Sequence, residues 1–281
     1  MSRCIFLVVL LSSSFACGFA QEAPPVDAGA YCAGLGSGEQ APALQRVCRW
    51  VNVLPQAMPS FTAEQVTSRQ QMTAIMQEAV NTGGANSHGL PAGYQHSYVQ
   101  EVINAKLTYD HGNDDYSDWY LDAKVSSYDA VRTSGLFWSF MQTERVLQTI
   151  FAPQSASQFK FAKRANQKGR DVLVFEFVTP RESNSTWSFV MDGKQVNPGL
   201  KGEFSLDASS YALVHVTVTT NEIEKDKKVP VKNIDVVADY ASQQVGPAEF
   251  VLPTQADIKL CRKDAAICLN NSISFKNYHP L

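Results

Sequence analysis

From about Val99 to Phe275, apolar and polar residues alternate in one short run after another, broken by turn residues and one helical stretch. In the clearest run, Phe250, Leu252, Thr254, Ala256, Ile258 and Leu260 fall on one side, with Glu249, Gln255, Asp257 and Lys259 on the other. A period of two predicts antiparallel strands with one dry face and one wet face. A sheet of this extent has to curl or be covered to hide its apolar side.

Before the sheet, Pro42 opens a helix whose stripe is Leu44, Val47, Val51 and Leu54, with Pro55 as its stop. Phe61 to Thr67 reads as a first strand, and residues 83–97 as a turn-rich loop without periodicity. Val99, Ile103, Ala105, Leu107 and Tyr109 then share a dry side, and a tight turn at His111-Gly112-Asn113-Asp114 reverses the chain. Trp119, Leu121, Ala123 and Val125 continue that side. Between Ser134 and Phe151 the period moves toward 3.6, predicting one internal helix over about 137–151, with Phe140, Leu147, Ile150 and Phe151 on its stripe and Pro153 as its stop. Further strands follow from Phe159 to Phe275, with turns at Gln167-Lys168-Gly169, Asp192-Gly193, Asp207-Ala208-Ser209 and Val245-Gly246-Pro247. The sum is an α+β chain of about ten strands.

The first residues change where this domain is expected to live. Arg3, the apolar run Ile5 to Leu11 and the small residues around Ala20 predict an export signal over residues 1–20, with lipidation at Cys17 as the competing reading. Residues 21–40 read as a flexible leader pinned at Cys32, and 41–281 as a single domain. No later segment has the roughly 20 apolar residues of a transmembrane helix. Periplasmic or extracellular placement makes disulfides the expected state of Cys32, Cys48, Cys261 and Cys268. Three pairings can be drawn; proximity favours Cys32 with Cys48 and Cys261 with Cys268. A formal charge of −3 argues against nucleic acid as a partner.

Candidate chemistry is sparse. The histidines His88, His96, His111, His215 and His279 show no metal-ligand spacing, and no catalytic or cofactor fingerprint is present, so neither an enzyme, a metal site nor a cofactor is expected. Asp110-His111-Gly112-Asn113-Asp114-Asp115 departs from the calcium-loop pattern and reads as a strand-to-strand turn. Lys225 to Lys228 reads as a solvated hairpin tip. The aromatic residues Trp119, Trp138, Phe140, Trp187 and Phe189 are either core or the lining of an apolar groove.

A leading helix, then Ser60-Phe61-Thr62-Ala63-Glu64-Gln65, then a long sheet interrupted by one helix, resembles the bacterial lipoprotein-sorting chaperone superfamily of periplasmic carriers and sensor-regulators. Within it, Leu54 to Gln65, Ile150-Phe151-Ala152-Pro153, Phe250-Val251-Leu252-Pro253 and Phe275-Lys276-Asn277-Tyr278 resemble a group of exported proteins of soil, acidobacterial-type bacteria. The resemblance implies a strongly curved half-barrel with the N-terminal and internal helices on its concave side. It also implies a non-enzymatic exported protein that holds a hydrophobic ligand, namely a lipid, an acylated peptide or a lipoprotein. The groove candidates on that reading are Trp119, Leu121, Trp138, Phe140, Leu147, Trp187 and Phe189. The alternative is an interaction or sensor module whose loop 83–97 meets a protein partner in the cell envelope.

Overall fold

The computed structural model describes residues 27–73, 99–134, 137–184, 187–191, 194–263 and 267–281. The export signal with Cys17, the loop 83–97 with His88 and His96, and the turn at Asp192-Gly193 lie outside the described residues.

Among the described residues, thirteen strands carry the alternation: β1 Phe61–Thr73, β2 Val99–Asp110, β3 Asn113–Leu121, β4 Lys124–Val125, β5 Gln158–Gln167, β6 Arg170–Thr179, β7 Phe189–Met191, β8 Lys194–Val196, β9 Gly199–Asp207, β10 Leu213–Asn221, β11 Val231–Val245, β12 Ala248–Arg262 and β13 Ile267–Pro280. Eleven form one antiparallel sheet in the order β4-β3-β2-β1-β13-β12-β11-β10-β9-β6-β5, while β7 and β8 make a separate ribbon. The sheet is open, since β4 and β5 end it without pairing. The result is a curved α+β half-barrel. Tight hairpins set the register. His111-Gly112 and Lys168-Gly169 both hold positive φ in both central residues, the geometry whose twist matches two paired strands.

Among the described residues, four α-helices sit among the strands: α1 Ala28–Ala33, α2 Ala41–Ala57, α3 Tyr128–Ser134 and α4 Phe140–Phe151. The long ones, α2 and α4, bury their stripes in the same core as the inner face of the sheet. Burying side chains such as Leu44, Val51, Leu147 and Ile150 contributes roughly 1.5–3 kcal/mol apiece. Both cysteine pairs are bridged locally, Cys32–Cys48 tying α1 to α2 and Cys261–Cys268 joining opposed residues of β12 and β13.

Several expectations need correction. The leader contains helix α1, capped by the Asp27 carboxylate on the Gly29 N–H. Pro55 does not stop α2. It lies in the last turn, and the helix closes at Ala57, where the Met58 N–H still reaches the Leu54 carbonyl at 2.9 Å. Ala123 and Val125 do not extend the dry side of Trp119: Asp122 and Ala123 form a positive-φ turn, and Val125 is exposed on the short return strand β4. A second internal helix, α3, follows that turn. Finally, the run from Phe250 to Leu260 is two runs. Ala256 faces Ala238 and Pro253 faces Tyr240, so one extra residue in β12 breaks the parity between Leu252 and Ala256.

Candidate functional site

The placement of α4 follows from the inner face of β1, where side chains change from apolar to polar along the strand: Phe61, Ala63, Gln65, Thr67, Arg69. Phe61 stacks on Tyr109 and meets Phe140 edge-on, with ring centroids 5.0 and 5.6 Å apart. Four residues on, Gln65 donates to the Trp138 carbonyl at 2.9 Å and accepts the Tyr116 hydroxyl at 2.7 Å. The first turn of α4 is received by β3. The Phe140 N–H donates to Tyr116 Oη at 2.8 Å, and the Met141 N–H to Asp114 Oδ2 at 3.0 Å, a carboxylate at a helix N-terminus. At the other end Asn52 of α2 donates to the Phe151 carbonyl at 3.1 Å. Arg69, farther along β1, pairs with Glu101 and donates to the Val131 carbonyl, which seats α3.

This anchoring decides where the groove candidates lie. Trp138, Phe140, Leu147 and Trp187 belong to the main core, with Leu147 1 % exposed. Trp119 belongs to a smaller cluster with Ile103, Ala105 and Val131, and Leu121 packs against that cluster half-buried. Phe189 lies half-buried beside Trp187. A shallow cavity of about 330 Å³ opens at Trp119, Tyr128 and Phe137. The three larger cavities are not lined by any of the seven.

One group under α4 is out of keeping with its surroundings. Glu144 is 2 % exposed, and its Oε1 has no hydrogen-bond partner. Burial pushes its carboxyl up to about 8, so it is neutral over much of the physiological range. The phenols Tyr109, Tyr240 and Tyr278 lie within electrostatic reach, and the Tyr240 hydroxyl is likewise buried without a partner. Its position three residues before Leu147 and four after Phe140, inside the apolar stripe, is a signal readable from sequence. It was passed over.

The open surface lies elsewhere. Between α2 and the far end of the sheet runs a groove of about 490 Å³, lined by Val47 and Trp50 of α2, by Tyr211, Leu213 and Val214, and by Val251, with Arg46 and Arg170 also in its wall. Trp50 meets Tyr240 edge-on at 6.5 Å. The β9–β10 turn is held by Asp207, whose carboxylate accepts the Ser209 and Ser210 hydroxyls and N–H groups; those bonds hold it down at about 2.

Next to this groove, and sharing Arg170 and Val214 with it, is a polar notch of about 580 Å³. Two extra residues shape it, Val214 in β10, where the pairing with β9 slips, and Thr254 in β12, where the pairing with β11 slips. Such bulges bend strands and re-aim side chains. Asp239 occupies the centre: Oδ1 meets His215 Nδ1 at 2.7 Å, and Oδ2 accepts from Lys168 Nζ, on the β5–β6 hairpin tip, at 2.9 Å. Burial raises the Asp239 carboxyl, but the bonds from Lys168 and His215 outweigh it and hold the group below its ordinary value. Ser205, His215 and Asp239 stand side by side in one cross-strand row. Ser205 is 2 % exposed and makes no hydrogen bond to His215, so the nucleophile–base contact of acyl transfer is not formed. No sequence spacing signals this cluster, because it depends on cross-strand register and on two bulges.

No family model matches the chain, and no curated protein does. Among solved structures the chain is similar to a putative outer membrane lipoprotein-sorting protein domain from Vibrio parahaemolyticus, at 10 % identity over 83 % of this chain and 90 % of that one, with a TM-score of 0.36. It is also similar to a DUF1329 family protein from Desulfovibrio piger, at 11 % identity over 84 % of this chain and 90 % of that one, with a TM-score of 0.34. Overlaps this loose carry no argument about what the chain does.

Proposed function

We propose that the protein is an exported, non-enzymatic binding protein that holds the apolar part of a lipid, an acylated peptide or a lipoprotein in the groove between α2 and the sheet. One observation carries the reading: the α2 groove is open, within the usual size range of ligand sites, and presents the half-buried Trp50, Tyr211, Val214 and Val251 to whatever enters. Export is supported by the apolar run Ile5 to Leu11 and by the two disulfides. Among the described residues no helix is long and apolar enough to cross a membrane.

The ligand on this reading lies beside α2 rather than beneath α4, where the aromatic candidates are already packed. The experiment is titration of the purified protein with a fluorescent long-chain fatty acid, alongside mass spectrometry for co-purifying lipid. Saturable binding is expected, and Trp50→Glu, at a half-buried site, should weaken it about tenfold or more, the loss of one apolar anchor. Preparations free of lipid that bind no probe, or equal binding by Trp50→Glu, would overturn the proposal.

A further inference from the structure

Resting on that reading of the groove, we infer that the adjoining notch receives the ligand's anionic head, a carboxylate or a phosphate monoester. The two cavities share Arg170 and Val214 in their walls, so a chain lying against Trp50 and Val251 brings its polar end out beside Arg170. The notch carries two cations, Lys168 and Arg170, against one carboxylate, Asp239. Both oxygens of that carboxylate are engaged, one by His215 and one by Lys168. Among the described residues the Arg170 guanidinium has no hydrogen-bond or ion-pair partner, and His215 leaves Nε2 unbonded. Lys168 and Asp239 offset each other, which leaves the Arg170 guanidinium as the unpaired charge of the notch.

The acids of the neighbouring groove keep their charge but are turned to serines rather than to Arg170. Asp207 is saturated by Ser209 and Ser210, and Glu249 is bonded to Ser242. Arginine's planar fork matches carboxylate and phosphate oxygens, and such charge-assisted bonds are about twice as strong as neutral ones. A neutral head would leave Arg170 no better paired than in water.

The test compares palmitic acid, hexadecyl phosphate and hexadecanol as competitors of the fluorescent fatty acid at low salt, on wild type, Arg170→Gln and Arg170→Glu. The Arg170 side chain is exposed and has no hydrogen-bond or ion-pair partner among the described residues, so all three proteins should melt together. One or both anionic chains should bind wild type about tenfold tighter than the alcohol, the worth of one charge-assisted bond. Arg170→Gln should remove most of that margin and Arg170→Glu should reverse it, with hexadecanol unchanged throughout. Preference for palmitic acid alone assigns the head as a carboxylate, and preference for hexadecyl phosphate alone as a phosphate. If the alcohol matches both anions on wild type, or Arg170→Glu keeps their advantage, the head site is overturned while the groove stands. If no chain of any kind binds, groove and head site fall together.

Discussion

The face under α4 and the notch beside β11 are built from the same alternating strands, yet one is shut and the other open. Under α4 the pairing slips too, between Thr62 and Glu64 of β1, yet Phe61, Tyr109, Phe140 and Phe275 interlock as aromatic pairs over it, and both ends of the helix are tied by hydrogen bonds. At the notch the register slips twice, and polar side chains line a space the sheet cannot close. The difference teaches that curvature alone does not open a cavity in a half-barrel. The helices fill the concave face, slips in the pairing occur on both sides of the comparison, and openings survive where no helix packs its stripe over the strands.

The largest expected effect breaks the comparison on its closed side. Leu147→Asp places an unpaired charge among Phe140, Ile150 and the sheet, and should cost about 4 kcal/mol or more, enough to abolish the folded state in a denaturant melt. A folded variant with a near wild-type melt would mean that α4 is a loose lid.

Next in size is a pH effect from Glu144. Its carboxyl lies at about 8 when folded and near 4.5 when unfolded, so the folded state holds the extra proton between those values. The stability it contributes is complete below about pH 4.5 and is lost as pH rises toward 8, on the order of 4 kcal/mol across that window. Asp207, Asp226 and Asp239 are all lowered, so their own loss of stability falls below this window. Urea melts at pH 5 and pH 8 should therefore differ for wild type and converge for Glu144→Gln; parallel loss in both would place the titrating group elsewhere.

Much of this architecture was legible in the residues. The stripes of α2 and α4, the hairpin tips at Gly112 and Gly169 and the local disulfides all depend on neighbours close in sequence. Burial was legible too. Its consequence was not: whether Trp138 and Trp187 line a groove or fill a core depends on Gln65 and Tyr116, which lie far from them in the chain and fix the height of α4. Thr254 reads as one more member of an alternating run, because an extra residue in a strand leaves no mark in composition. His215 and Asp239 are 24 residues apart and meet only through the β10–β11 register.

Smaller effects sharpen the open side. Removing the Cys32–Cys48 bridge by paired serine substitution should cost about 3 kcal/mol, the expectation for a loop of this length, and should loosen α2 as the wall of the groove. Chain binding should then fall more than the melt alone explains; an unaltered affinity would separate the groove from α2. Smallest is Lys168→Asn, at a positive-φ turn position that suits asparagine. Loss of its largely exposed ion pair with Asp239 should change stability by less than about 1 kcal/mol and diminish with added salt.

The most direct test of where a ligand sits is photo-crosslinking with a diazirine-bearing palmitic acid, followed by peptide mapping. Labels should fall on the 41–57 helix around Val47 and Trp50, on the 207–214 turn and around Val251. Labels on Trp138, Trp187 or the 140–151 helix would contradict the account, since they would require the face beneath α4 to be open.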